Sequence, residues 1–196
     1  MSRRLQLEDI VDLRAYERVR EETRRGIIDL KARRRVSVGP VVTLLFENRE
    51  TVRFQVQEMA RAEKIVTDEG VQGELDAYNP LIPEPGQLSA TLFIELTDEE
   101  ALRHWLPRLV GIERSLVLRL AGGEEIRSIP EEAHEEALTR ADVTSAVHYL
   151  RFELSPAEVD RFAAGPVVLG VDHPDYPEAV TLTGETVAEL LRDLRV

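Results

Sequence analysis

Between Ser37 and Leu96 the hydrophobic pattern changes period twice. Val41–Asn48 (VVTLLFEN) alternates with period two, which predicts a strand with apolar residues on both faces. Val42, Leu44 and Phe46 share one face, and Val41, Thr43, Leu45 and Glu47 share the other, so Glu47 continues a face that otherwise reads as buried. From Glu50 to Val66 the spacing becomes helical. Val52, Val56, Met59, Ala60 and Val66 fall on one side, with Gln55 and Glu63 inside the same stripe. Phe54 and Ile65 lie opposite, beside Glu58 and Arg61. A helix of this kind is expected to be covered on most faces, and polar groups under cover need partners. The following stretch, Glu74–Pro85, reads as a loop. Pro80, Pro83 and Pro85 make it a stiff, extended path of the sort that wraps a surface or closes a pocket.

Upstream, Leu5–Ala32 reads as helix with a candidate break at Gly26, and Ser37-Val38-Gly39-Pro40 terminates it. Downstream, the pattern repeats. Strand Ala90–Leu96, helix Asp98–Val110 and strands Ser115–Leu120 and Glu125–Ile129 form one unit. Strand Val147–Leu154, helix Pro156–Ala164 and strands Pro166–Val171 and Glu178–Leu182 form a second, followed by helix Gly184–Leu194. Glu95-Leu96-Thr97-x-x-Glu100 matches Glu153-Leu154-Ser155-x-x-Glu158, and both read as capping boxes. The prediction is an α+β fold. An N-terminal helix–strand–helix region (1–88) packs on a mostly antiparallel sheet made from two duplicated βαββ units (89–196), the whole forming one compact domain. Short turns at Ala121–Glu124 and Asp172–Pro177 carry the antiparallel expectation, and a pseudo-twofold axis is expected between the units.

Composition narrows the chemistry. The 196 residues contain no cysteine, which excludes disulfides, thiolate metal sites and a cysteine nucleophile. Net charge is −12, divided into +4 over residues 1–35 and −16 over the remainder. So acidic a body repels phosphate backbones, and nucleic acid is not an expected partner. Lys31, Arg33, Arg34 and Arg35 read as a solvated helix end. No apolar run approaches the roughly 18 residues of a membrane span and no signal core is visible, so a cytoplasmic protein without membrane contact is expected.

Among the histidines, His104 and His134 read as exposed. His148 shares a strand face with Leu150, Phe152 and Leu154 and is expected to be buried and hydrogen-bonded, with Val147, Tyr149, Arg151 and Glu153 on the opposite face. His173, in Asp172-His173-Pro174-Asp175, reads as turn chemistry. Metal-ligand spacings, a nucleophile elbow and a phosphate-binding glycine loop are all missing, so no metal and no cofactor is expected. The candidate ligand-binding set is Glu47, Gln55, Glu58, Arg61, Glu63, Tyr78, Asn79, His148, Arg151 and His173. An ionised carboxylate in an apolar stripe is costly unless paired. Two readings follow: a structural ion-pair network, or a pocket for a small ligand or metal.

Several segments together resemble a known family. They are Arg33-Arg34-Arg35 with Val38-Gly39-Pro40, Phe46-Glu47, Glu58-Met59, Glu74-Leu75 with Tyr78-Asn79-Pro80-Leu81-Ile82-Pro83, His148 with Arg151-Phe152-Glu153-Leu154, and Gly170-Val171-Asp172-His173-Pro174. In order and spacing they are similar to the bacterial domain of unknown function 3501, over nearly the whole chain. That family has no established activity, so the resemblance implies no catalytic roles. Its gene context implies a redox or oxidative-stress pathway, with a rubrerythrin-like protein or an iron–sulfur oxidoreductase as partner. The expectation is therefore a non-catalytic accessory or interaction protein, self-association included. The alternative is an enzyme or sensor that uses the Glu/Arg/His set.

Overall fold

The alternation along β2 (Val42–Glu47) organises the architecture. All six of its residues are buried, so both faces are covered. In a computed structural model that describes residues 3–131 and 143–195, β2 lies in a five-stranded sheet. Its order is β1 (Arg35–Val38), β2, β3 (Gln87–Ile94), β7 (Val147–Glu153), β6 (Ile129–Pro130). A second sheet runs β5 (Glu125–Arg127), β4 (Leu116–Arg119), β8 (Val168–His173), β9 (Tyr176–Thr181). Every pairing is antiparallel. The α+β class and the antiparallel pairing hold, while the strands divide between two sheets. Each predicted βαββ unit gives its first strand to one sheet and its next two to the other. β3 pairs with β7, and β4 pairs with β8.

Leu44, Phe46, Leu92 and Phe152 of the first sheet join Leu118, Leu169 and Val171 of the second in one hydrophobic core. A smaller core lies on the outer side of the first sheet. There Val52 and Val56 meet Leu5, Leu75, Leu81 and Ile82, with Tyr78 and Tyr149 packed against them.

Helix α1 (Leu13–Arg34) starts at Asp12, whose side chain accepts from the Ala15 N–H, and it continues through Gly26 without a break. It does not end in solvent. Arg34 is fully buried, which corrects the reading of the basic cluster as a solvated helix end. Its guanidinium reaches the backbone oxygens of Phe46 (2.8 Å) and Glu47 (3.0 Å). The chain then turns straight into β1, a strand the Ser37–Pro40 terminator signal concealed.

Helix α2 (Arg49–Ala62) is capped by Asn48, whose side chain accepts from the N–H groups of Glu50 and Thr51. It stops earlier than the pattern predicts, because Lys64 adopts a left-handed φ of 56°. Val66 is consequently 81% exposed. The stretch read as an extended loop is instead helix α3 (Asp68–Tyr78) followed by a 3₁₀ turn at Asn79–Leu81. Two glycines and a single fully buried residue, Leu75, left α3 without a visible apolar period.

Helix α4 (Glu99–Trp105) is also shorter than expected, and Pro107 explains its stop. Its cap is Asp98, which accepts from the Ala101 N–H at 2.7 Å, and not Thr97. Only the second predicted capping box forms: Ser155 and Glu158 satisfy each other's backbone N–H groups at the start of α5 (Pro156–Ala164). The chain closes with α6 (Gly184–Leu194).

Candidate functional site

The outer face of the first sheet is built by register. Thr43 stands opposite Phe93 and Phe93 opposite Val147; Leu45, Thr91 and Tyr149 form the next row; Glu47, Ser89 and Arg151 form the third. Helices α2 and α3 cover this face incompletely, and a cavity of about 220 Å³ remains. Its floor is Leu45, Glu47, Thr91, Phe93, Val147 and Tyr149 from the sheet. Thr51, Val52 and Gln55 of α2 form one wall, Tyr78 and Leu81 another, and Lys31 of α1 a third.

Glu47 is the polar centre of this cavity. It ends β2, so strand geometry points its side chain outward, and the Asn48 cap turns α2 back over it. Its carboxylate is fixed from both sides. Thr91 donates to Oε1 at 2.7 Å and Thr51 donates to Oε2 at 2.5 Å. The residue is 9% exposed, and among the described residues no cation comes within ion-pair distance of its carboxylate. Each oxygen accepts one hydroxyl and keeps capacity for a further donor. The Tyr149 phenol nearby is pushed above its ordinary value by burial first, with Tyr78 and Glu47 adding to the rise. Lys31, on the opposite wall, holds its ammonium 5.4 Å above the Phe54 ring.

The predicted site residues separate into distinct places. Glu47, Gln55 and Tyr78 line the cavity. Glu58 and Arg61 lie between α1 and α2, where Glu58 accepts from the Tyr16 hydroxyl (2.7 Å) and from Arg20 Nε and Nη2 (both 2.9 Å). Arg61 stands 3.4 Å from Glu58. Arg20 foremost, and then Tyr16, hold the Glu58 carboxyl down at about 2. Glu63 is exposed at the end of α2, so its expected place in a buried stripe is corrected: the helix has already stopped.

Asn79 tethers the N-terminal segment, its amide bonding the backbone N–H and C=O of Leu5 at 2.8 and 3.1 Å. His148 is buried on the inner face, with Nε2 2.8 Å from Thr144 Oγ1 and 2.9 Å from the Ser145 carbonyl. Arg151 pairs with Glu153 and Glu131. His173 serves its hairpin, accepting from the Asp175 N–H and approaching the Val110 carbonyl at 3.1 Å. His134 lies outside the described residues.

Sequence reasoning missed Lys31, Thr51, Thr91, Phe93 and Tyr149 as cavity residues. A usable signal existed at Thr91, a hydroxyl inside the apolar run ATLFIEL and on the same face as Phe93. Also missed was the buried cluster in which Arg34 pairs with Glu189 and Asp193 of α6.

Among the described residues, no group of three or more His, Cys, Asp or Glu side chains is placed to hold a metal. No described helix is long and apolar enough to cross a membrane. A family model described as "Protein of unknown function (DUF3501)" matches residues 4–194. The chain is similar to the crystal structure of a novel protein of unknown function from Burkholderia pseudomallei. That protein is 42% identical, with a TM-score of 0.89, and the match covers 97% of this chain and 98% of the other. No curated protein matches the chain.

Proposed function

Given that the chain belongs to the DUF3501 family of proteins of unknown function, we propose that it is a small-molecule-binding protein whose site is the Glu47 cavity. One observation carries this reading. A buried carboxylate, held open by two threonine hydroxyls and lacking a cationic partner among the described residues, faces a preformed space. Buried charges that serve structure alone are normally paired, as Arg34 is in this same protein. An apolar pocket with a few convergent polar groups is the usual form of a ligand site.

Ligand-observed NMR with a fragment panel of mixed charge tests the reading, using the wild-type protein and a Val147→Trp variant that fills the cavity. Binding that disappears in the variant while its melting transition persists supports it. Fragments that bind both proteins equally, or neither, overturn it. An accessory role beside a redox partner draws on the family resemblance alone. It is compatible with ligand binding, since a protein that reports a metabolite to a partner needs both a pocket and an outer surface.

A further inference from the structure

We propose that the Glu47 cavity selects a compact organic monoammonium ion, with its N–H groups on the Glu47 carboxylate and its carbon body against Leu45, Val52 and Phe93. The inference rests on the small-molecule reading above and specifies its chemistry.

Thr51 and Thr91 both donate to Glu47, so the positions left on the carboxylate accept and the ligand must donate. Charge sharpens this requirement. A carboxylate removed from water is strongly destabilised without a counter-charge, and a neutral or anionic ligand would displace water without supplying one. A cation supplies it and makes the stronger, charge-assisted type of hydrogen bond.

The rest of the lining separates organic cations from metals. A hard divalent ion takes six or more oxygen ligands, whereas Glu47 is the one carboxylate among the described residues of this lining. Phe93, Tyr78 and Tyr149 instead offer aromatic surface, whose ring faces attract an organic ammonium group.

Size and the far wall set the remaining limits. At about 220 Å³ the cavity is smaller than the roughly 300–1,000 Å³ that accommodates drug-sized ligands. Lys31 lines the α1 wall and holds its ammonium over the neighbouring Phe54 ring, so a second ammonium on the same ligand would approach a like charge. The fit is therefore a short amine with one charge and an apolar body.

Isothermal titration calorimetry at neutral pH with 3-methylbutylamine, 3-methylbutanol, 4-methylpentanoate and 1,5-diaminopentane tests this. The expected result is that the monoamine binds at least about tenfold more tightly than the alcohol, a difference of about 1.4 kcal/mol. The carboxylate and the diamine should both bind more weakly than the monoamine. Glu47→Gln preserves shape and one acceptor oxygen, and it is expected to abolish the amine's advantage over the alcohol; a retained cooperative melting transition verifies that the variant is folded. If Glu47→Gln fails to fold, Lys31→Met provides the second test: it should improve diamine binding relative to monoamine. The inference is overturned if the alcohol or carboxylate matches the amine, or if Glu47→Gln binds the amine as the wild type does. Fragments of other charge that bind in a Val147→Trp-sensitive way would leave the cavity reading standing and remove only the ammonium preference. Silence from ligands of every charge would remove both.

Discussion

Arg34 Nη1 donates to Glu189 Oε1 at 3.2 Å, joining residues 155 positions apart across the α1–α6 contact. Asp193, one helical turn beyond Glu189, takes the other end of the guanidinium. The same Arg34 group bonds the carbonyls of Phe46 and Glu47, so it fixes the end of β2 from which the Glu47 side chain projects. Burial pushes the Asp193 carboxyl above its ordinary range despite Arg34 beside it.

Arg34→Met should therefore cost about 3–5 kcal/mol, the usual penalty for breaking a buried pair and stranding its carboxylates. Asp193→Asn should cost less, since its ionisation is already opposed by burial. Urea denaturation of the two variants checks the order. An Arg34→Met protein as stable as wild type would contradict the account.

Glu58 gives the protein an acid-sensitive contact. Its carboxyl is held at about 2 in the folded state, from an ordinary value of 4.5, with Arg20 as the main cause. Because the folded value is depressed, its contribution is complete above about pH 4.5 and is lost as pH falls towards 2. With Arg20 and Glu58 at 24% and 21% side-chain exposure, solvent screening holds the contribution to about 1 kcal/mol. Glu58→Gln should flatten the stability profile between those limits. Denaturation midpoints measured across that window decide the matter, and parallel wild-type and variant profiles would refute it.

Tyr176 and Gly39 lock the β1–β2 turn together. The Tyr176 hydroxyl donates to the Val38 carbonyl at 2.8 Å and accepts from the Val41 N–H at 3.0 Å. Gly39 has a φ of 68°, and a Cβ there would stand 2.5 Å from that hydroxyl oxygen. Tyr176→Phe should cost about 1–3 kcal/mol through the buried groups left unpaired. Gly39→Ala should also destabilise, and less so in the Tyr176→Phe background, where the clashing oxygen is gone. A double-mutant cycle measures this coupling. Strict additivity would argue against a shared contact.

Much of this arrangement is legible along the chain because it is local. The period-two pattern of β2 places Glu47 on a covered face, and the pattern of β7 correctly buries His148. Where the pattern misleads, a tertiary or backbone effect intervenes. The apolar stripe of α2 extends on paper to Val66 and includes Glu63, yet the left-handed Lys64 ends the geometry on which that stripe depends. Helix α3 buries a single residue fully, so no amphipathic period marks it. Arg34 has the composition of a surface residue, and the carboxylates that make its burial tolerable lie 155 and 159 positions away. The cavity itself is assembled from β2, β3, β7, helices α1, α2 and α3 and the 3₁₀ turn, and no single window of sequence contains it.

The central claim is that Glu47 presents a carboxylate to a ligand in the cavity beneath α2 and α3. A crystal structure of the protein soaked with 3-methylbutylamine tests it most directly. The account predicts the amine inside the cavity, with its nitrogen about 2.7–2.9 Å from a Glu47 carboxylate oxygen and the Thr51 and Thr91 bonds retained. An amine seated elsewhere, or a cavity left without it at saturating concentration, would contradict the account.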